Sequence, residues 1–188
     1  MNAIEISLAI VKEIEGVLRA VDAGEADALA GAMLAARRVF VAGAGRSLLM
    51  MRGLAMRLMQ LGFQAYVVGE TVTPAIEPGD LLVIGSGSGE TGTLLVMARK
   101  AKAVGASLGL ITIYPDSSLG RLADTVVRLP AATTKSAQEP ASSSIQPGAS
   151  SFEQSLLVLV DALVMRVIEI KPITEANAAL MKRHANLE

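Results

Sequence analysis

Two short turns carry the residues best suited to holding an anion. In "VIGSGSGETGT", residues 83–93, Ser86, Ser88 and Thr91 set three hydroxyls within six positions, with Gly87 and Gly89 between them. The turn stands where an apolar run ends and a helical pattern begins. The first N–H groups of such a helix lack intrahelical partners and lie at the positive end of its dipole, so they suit phosphate. Glycines let the backbone approach the ligand. The lysine of a nucleotide P-loop is missing, which argues against a magnesium-bound triphosphate and for a single phosphate monoester. A competing explanation is that Ser88 or Thr91 caps the following helix; three hydroxyls so close together favour a ligand.

The other turn is "GAGRS", residues 43–47, with Gly45, Arg46 and Ser47. It is not a dinucleotide fingerprint, because Leu48 stands where a third glycine is needed and Glu70 comes late for the acidic partner. Arg46 is either a surface charge or a guide for a charged substrate, and Ser47 is either a helix cap or a ligand group. In "GETVTP", residues 69–74, Glu70, Thr71 and Thr73 fit a sugar pocket or, almost as well, a turn before Pro74. "SSFE", residues 150–153, has the form of a capping box with Ser150 as N-cap and Glu153 at the third helical position. His184 is the single histidine and lies in a tail that most proteins leave frayed.

These groups need a scaffold, and the chain has the length and composition to build one. Its 188 residues are 52% hydrophobic, enough for one domain with its own core. Residues 3–21 repeat Ile4, Leu8, Val11, Ile14, Leu18 and Val21 at helical spacing, and a second, alanine-rich helix follows at about 25–36. Beyond it, short apolar runs alternate with helical patterns. The strands are expected in "RVFVAGAG", "FQAYVVG", "DLLVIGSGSG", "SLGLITIY" and the end of "SSLGRLADTVVRL", which also contains a short helix. Helices are expected in "RSLLMMRGLAMRLMQLG", "ETGTLLVMARKAKAVG" and about 152–170, with a further helical tail at about 173–188. Strands without polar alternation, each followed by a helix, predict an α/β fold: a doubly wound five-stranded parallel sheet flanked by helices. In a flavodoxin-like strand order the first and third strands are neighbours at the switch point, and both glycine turns face one crevice. Met50, Met51, Met56 and Met59 follow a helical face and read as packing residues. Residues 131–151 are polar and aperiodic, a surface loop or a lid.

Composition also excludes several classes. The net charge of −1 provides no basic field for nucleic acid or an anionic membrane. No cysteine is present, so disulfides, thiolate chemistry and cysteine-based zinc sites are ruled out, and a reducing cytoplasm fits. "SLLVLVDALVMRVIEI" is interrupted by Asp161 and Arg166 and falls short of the roughly 20 apolar residues of a membrane span. The opening residues interleave charges and form no signal peptide. A soluble cytoplasmic protein is expected.

"GAGRS" followed by "SGSGET" resembles the sugar isomerase (SIS) domain family, whose serine- and threonine-rich turn holds the phosphate of a phosphosugar. "AMRLMQLGFQAYVVGETVTPAI", "DLLVIGSGSGET", "SSIQPGASSFEQSLLVLVDALV" and the closing "RHANLE" are similar, more narrowly, to the 6-phospho-3-hexuloisomerase family. The likeness runs from about residue 37 to the C-terminus. It departs from the family pattern in "QPGASSFE", where Gly148 and Ala149 replace a methionine and a glycine. The resemblance implies a single SIS domain over 1–188, with N-terminal helices at about 3–36 and the C-terminal tail appended. It implies an isomerase that converts D-arabino-3-hexulose 6-phosphate to D-fructose 6-phosphate through an enediol, needing no metal and no organic cofactor.

Under that resemblance Glu153 is the base and His184 helps move protons between O2 and O3, in its own or a neighbouring subunit. Ser47, Ser86, Ser88 and Thr91 hold the phosphate. Gly45, Arg46, Gly87, Gly89, Glu90 and Thr73 are further substrate-binding candidates. The implied setting is formaldehyde assimilation or detoxification by the ribulose monophosphate route, with a hexulose-6-phosphate synthase as metabolic partner and a homotetramer as the assembly. Two alternatives stand beside it: a phosphosugar-sensing SIS binding module, and an isomerase of another phosphosugar such as arabinose 5-phosphate. About 36 residues precede the first strand without a basic recognition face, which argues against an attached DNA reader.

Overall fold

Five parallel strands in the order β2-β1-β3-β4-β5 form the sheet of the computed structural model, which describes residues 1–133, 144–171 and 176–187. Much of the polar segment expected at 131–151, and the start of the tail, lie outside the described residues. The strands are β1 (Val39–Gly43), β2 (Ala65–Val67), β3 (Leu81–Gly85), β4 (Ser107–Thr112) and β5 (Thr125–Arg128). The helices are α1 (Ala3–Arg19), α2 (Ala23–Ala35), α3 (Arg46–Gln60), α4 (Gly92–Ala103), α5 (Ser150–Ile170) and α6 (Ala176–Lys182). The flavodoxin-like order expected from the sequence is the one observed.

The central strands are apolar throughout because both of their faces are covered. Val39, Val41, Leu81, Val83 and Ile111 point to one face and join a core built with α2, α3 and α5. Phe40, Ala42, Leu82, Ile84 and Leu110 point to the other, where α4 supplies Leu94, Ala98 and Ala101. The two faces are unequal. The short helix expected between β4 and β5 is a single 3-10 turn, Gly120–Leu122, so no second helix joins α4 from that connection. Gly120 lies so tightly under Pro115 that a Cβ there would meet the proline carbonyl at 1.7 Å. Asp124 then takes the Leu108 amide at 2.8 Å and leads directly into β5.

Helix ends follow their local chemistry. Asn2 and Glu5 form a reciprocal capping box at α1, and Asp22 caps α2 by accepting from the Glu25 amide. α1 buries Val17 but leaves Ile4, Leu8 and Val11 exposed. Among the described residues no helix is long and apolar enough to cross a membrane.

The end of the sheet opposite the glycine turns is fastened by one carboxylate. The Asp80 side chain is fully buried and accepts from Arg38 Nη2 at 2.6 Å, Arg38 Nε at 3.0 Å, Arg37 Nε at 3.2 Å and the Glu77 amide at 2.8 Å. Burial alone would raise its pKa, but the hydrogen bonds from Arg38, Glu77 and Arg37 prevail and hold it below the ordinary 3.8. A carboxyl with a lowered folded-state pKa stabilises the fold above its unfolded value and loses that contribution as pH falls towards the folded value. Asp80→Ala leaves Arg38 facing a vacated site and is expected to cost about 3 kcal/mol in urea unfolding at neutral pH. The difference between wild type and variant should shrink as the pH falls below 3.8.

Candidate active site

The site begins with the pairing of β1 and β3, which sets Gly43 directly opposite Gly85. Both glycines are there because the neighbouring backbone and side chains come close. A Cβ at Gly43 would lie 2.9 Å from the Leu48 amide, and one at Gly85 would lie 2.9 Å from Leu156 and from Met51. From this pair the two turns leave the sheet side by side, each leading into a helix.

Neither helix closes its own N-terminus with a side chain. Gly45, at φ +56°, is the N-cap of α3, and Thr91 is the N-cap of α4 without a side-chain hydrogen bond. Ser47 is therefore not a cap but the second residue of α3, and the capping explanation for Thr91 is not what its hydroxyl does. Ser86 accepts from the Gly89 amide and Ser88 from the Glu90 amide, each at 3.2 Å. A hydroxyl that accepts from an amide still has its own proton to donate, so both can serve an anion.

The second turn is braced from the connection that follows β4. The Ile113 amide and the Thr112 hydroxyl donate to the Gly87 carbonyl at 3.2 Å, and the Leu119 amide donates to the Gly89 carbonyl at 3.0 Å. Ser118 donates its amide to Glu90 Oε1 at 2.7 Å, which lowers the pKa of that carboxyl. Gly89 has φ +63°, and a Cβ there would fall 1.9 Å from Ser117 Oγ. Gly87 lets the Phe152 ring approach, with a Cβ position only 3.3 Å from Cδ1.

Between the turns lies a cavity of about 350 Å3. Ser86, Gly87, Ser88 and Thr91 line one side of it, and Gly45, Arg46 and Ser47 another. Ala149, Phe152 and Glu153 close it from α5, with Ile113, Tyr114 and Thr133 completing the wall. The Glu153 side chain is 14% exposed, and its Oε2 takes Arg46 Nη1 at 2.9 Å. The same Nη1 donates to Ser150 Oγ at 3.0 Å.

That arrangement corrects the expected capping box. The N-cap of α5 is Ala149, and Ser150 is already its first residue. The chain enters through Gly148 at φ +65°, and the Ser150 amide is turned back to the Pro147 carbonyl at 3.3 Å. The Ser150 hydroxyl thus faces Arg46, and the Glu153 carboxylate is left to face the cavity.

Six of the expected residues do not line this cavity: Glu70, Thr71, Thr73, Gly89, Glu90 and His184. Thr73 lies in the turn after β2 and donates its hydroxyl to the Val67 carbonyl at 2.5 Å, so the turn explanation holds. Glu90 points to Ser118 and away from the lining. Glu70 pairs with Arg52 at 2.5 Å. His184 is exposed beyond α6, with Nδ1 3.1 Å from the Ala185 carbonyl. Its neighbour Arg183 packs under Gly62 and donates to the Gln60 carbonyl at 3.4 Å, at the far end of α3. With 15 residues in α3, that end lies about 22 Å along the axis from Arg46. Tyr114, the bracing residues Thr112, Ile113 and Ser118, and Ser117 packed beside Gly89 were not anticipated. Their only sequence signal is their place just past the end of a parallel strand, where ligands gather.

A family model described as the SIS domain matches residues 32–165. The chain belongs to the SIS domain family. It is 41% identical over 188 residues to the 3-hexulose-6-phosphate isomerase of Bacillus subtilis (strain 168), with both chains covered in full. It is 42% identical over 184 residues to the protein of that name from Mycobacterium gastri, covering 97% of this chain and 90% of that one. Among solved structures, a crystal structure of a hypothetical protein shares 36% identity at a TM-score of 0.85, covering 98% of this chain and 96% of its own. A second, from Methanococcus jannaschii, shares 30% identity at a TM-score of 0.83, covering 98% and 99%; its crystal structure was described as inferring a function of 3-hexulose-6-phosphate isomerase.

In this SIS domain Gly89 offers a test of whether the second turn holds a phosphate. A side chain there meets both an unfavourable backbone region, about 1–3 kcal/mol, and Ser117, so the loop must shift. Gly89→Ala is expected to weaken calorimetric binding of a sugar phosphate by about tenfold or more with an unchanged circular dichroism spectrum. Adding Ser117→Gly, which removes the obstructing hydroxymethyl group, should recover part of the affinity.

Proposed function

We propose that this chain isomerises D-arabino-3-hexulose 6-phosphate to D-fructose 6-phosphate. The observation that carries the reading is a carboxylate, Glu153, opening onto the same cavity as an uncapped, hydroxyl-rich phosphate turn. A binding module has no need of a base beside its ligand, which is why the enzyme is preferred to the sensor. Relatives of that name at 41% and 42% identity, spanning nearly the whole chain, support the choice of substrate.

The phosphate is received by the Ser86, Ser88 and Thr91 hydroxyls, by Ser47 and by the first amides of α3 and α4, with Gly45 and Gly87 allowing close approach and Gly89 shaping the turn against Ser117. The sugar then extends towards α5. Glu153 takes the proton from C2, giving the 2,3-enediolate, and returns a proton to C3, while a proton passes from O2 to O3. Arg46 orients the carboxylate and lies close enough to the cradle to neutralise charge that develops on the enediolate oxygens. A five-membered ring closed on a C3 ketone would need the oxygen of C6, which carries the phosphate, so the substrate enters open-chain and ring opening is not required.

His184 is about 20 Å from its own cavity along α3, so its part in proton transfer is played at another subunit's cavity. This fits a homo-oligomer, a tetramer, packed through exposed apolar positions such as Ile4, Leu8 and Val11 of α1. The enzyme would act in the cytoplasm in the ribulose monophosphate route, receiving its substrate from a hexulose-6-phosphate synthase.

Formation of fructose 6-phosphate, read by coupled reduction of NADP, tests the reaction, and failure with this substrate but turnover of arabinose 5-phosphate would reassign it. Glu153→Gln keeps the shape of the side chain and should lower kcat by about 10²–10⁴-fold with KM nearly unchanged, the range for a general base. His184→Ala should lower kcat by about tenfold or more without weakening phosphate binding, and an unchanged kcat would remove His184 from the chemistry.

A further inference from the structure

The chain that leads into α5 is held from outside the cavity by a residue of α1. Glu13 accepts three hydrogen bonds from residues 144–146: Oε1 from the Ile145 amide at 2.8 Å, and Oε2 from the Ser144 hydroxyl and from Gln146 Nε2, both at 3.0 Å. Gln146 is buried, and its own amide donates to Ser144 Oγ at 3.0 Å, so the three residues form a closed turn around one carboxylate. Burial alone would raise the Glu13 pKa, but the bonds from Gln146, Ile145 and Ser144 hold it below its ordinary value.

The surroundings show why this contact matters. A second cavity of about 250 Å3 lies beside Glu13, lined also by Val17, Ser144 and Ser151. Ser144 borders that open space, while Gln146 is buried on the other side of the turn. Hydrogen bonds to a charged group are roughly twice as strong as neutral ones, so where the turn borders that space the carboxylate restrains it from α1. Directly after the turn come Pro147, Gly148 at φ +65° and Ala149, and then the first turn of α5 with Glu153.

We propose that Glu13 is a positioning residue of the isomerase: it fixes the entry of α5 and so sets the reach of Glu153 towards the substrate carbon. Glu13 touches neither the substrate nor Glu153. The proposal rests on Glu153 being the base.

The test is a double-mutant cycle in the full chain, with hydrogen exchange read at the amides of Ile145 and Gln146. Glu13→Ala should lower kcat about tenfold or more, as sub-ångström misplacement of a reacting group does, while the affinity for fructose 6-phosphate stays within about twofold because the cradle is untouched. Exchange at 145 and 146 should accelerate. In a Glu153→Gln background, Glu13→Ala should cause no further loss, since there is no base left to misplace. Glu13→Gln keeps the volume, turns an NH2 group towards at least one donor, and should show a smaller loss of the same kind; it serves if the alanine variant does not fold. Full kcat in Glu13→Ala and Glu13→Gln, or the same fractional loss in both backgrounds, would overturn the proposal while leaving the base in place. A wild-type rate in Glu153→Gln would instead remove the base, and the proposal with it.

Discussion

The close approach of β1 and β3 at Gly43 and Gly85 is the constraint on which the site depends. Parallel strands end together, so two strands adjacent at the switch point release two turns at the same level. Any Cβ at either glycine would press on Leu48, Met51 or Leu156, forcing α3 or α5 outward. Without that tight fit, the N-termini of α3 and α4 would diverge and α5 could not bring Glu153 over the gap between them. The proposed phosphate cradle and the proposed base are thus products of one packing arrangement in the middle of the sheet.

The proposed binding and the proposed chemistry are nevertheless carried by different parts of the fold. The proposed cradle is made of backbone amides and short hydroxyls braced from the end of β4 and the connection after it through Thr112, Ile113, Ser118 and Leu119. Its rigidity comes from the sheet. The carboxylate comes from α5, which is tied to Arg46 on one side and, through residues 144–146, to Glu13 on the other. On the proposed reading, substrate positioning and proton transfer can therefore be disturbed separately, and the docking of α5 on α3, with the Glu13 contact at its entry, keeps them in register.

Much of this was legible in the sequence, and the misses have specific reasons. The two turns stood out because glycine and hydroxyl residues occurred where an apolar strand passed into a helical pattern, a local signal. The strand order was readable as a family of solutions that parallel sheets obey. The Arg46–Glu153 contact was not readable, since it joins residues on α3 and α5 that only the tertiary fold brings together. Ser150 was expected to cap because its spacing to Glu153 is right, but Gly148 in the left-handed region advances the helix start and turns the hydroxyl towards Arg46. Thr73 and Glu90 were assigned to the substrate by position beside the motifs; Val67 and Ser118 claim them instead. Glu13 looks, in sequence, like any acidic residue on the polar face of an amphipathic helix.

The central claim, that Glu153 exchanges a proton at the carbon beside the carbonyl, is most directly read without the forward substrate. Fructose 6-phosphate incubated with the protein in D2O should acquire deuterium at C3, followed by proton NMR, as the base removes and returns that proton. Glu153→Gln should bind fructose 6-phosphate with similar affinity and leave C3 protonated. Exchange at C3 by Glu153→Gln at the wild-type rate, or none by the wild type, would contradict the account.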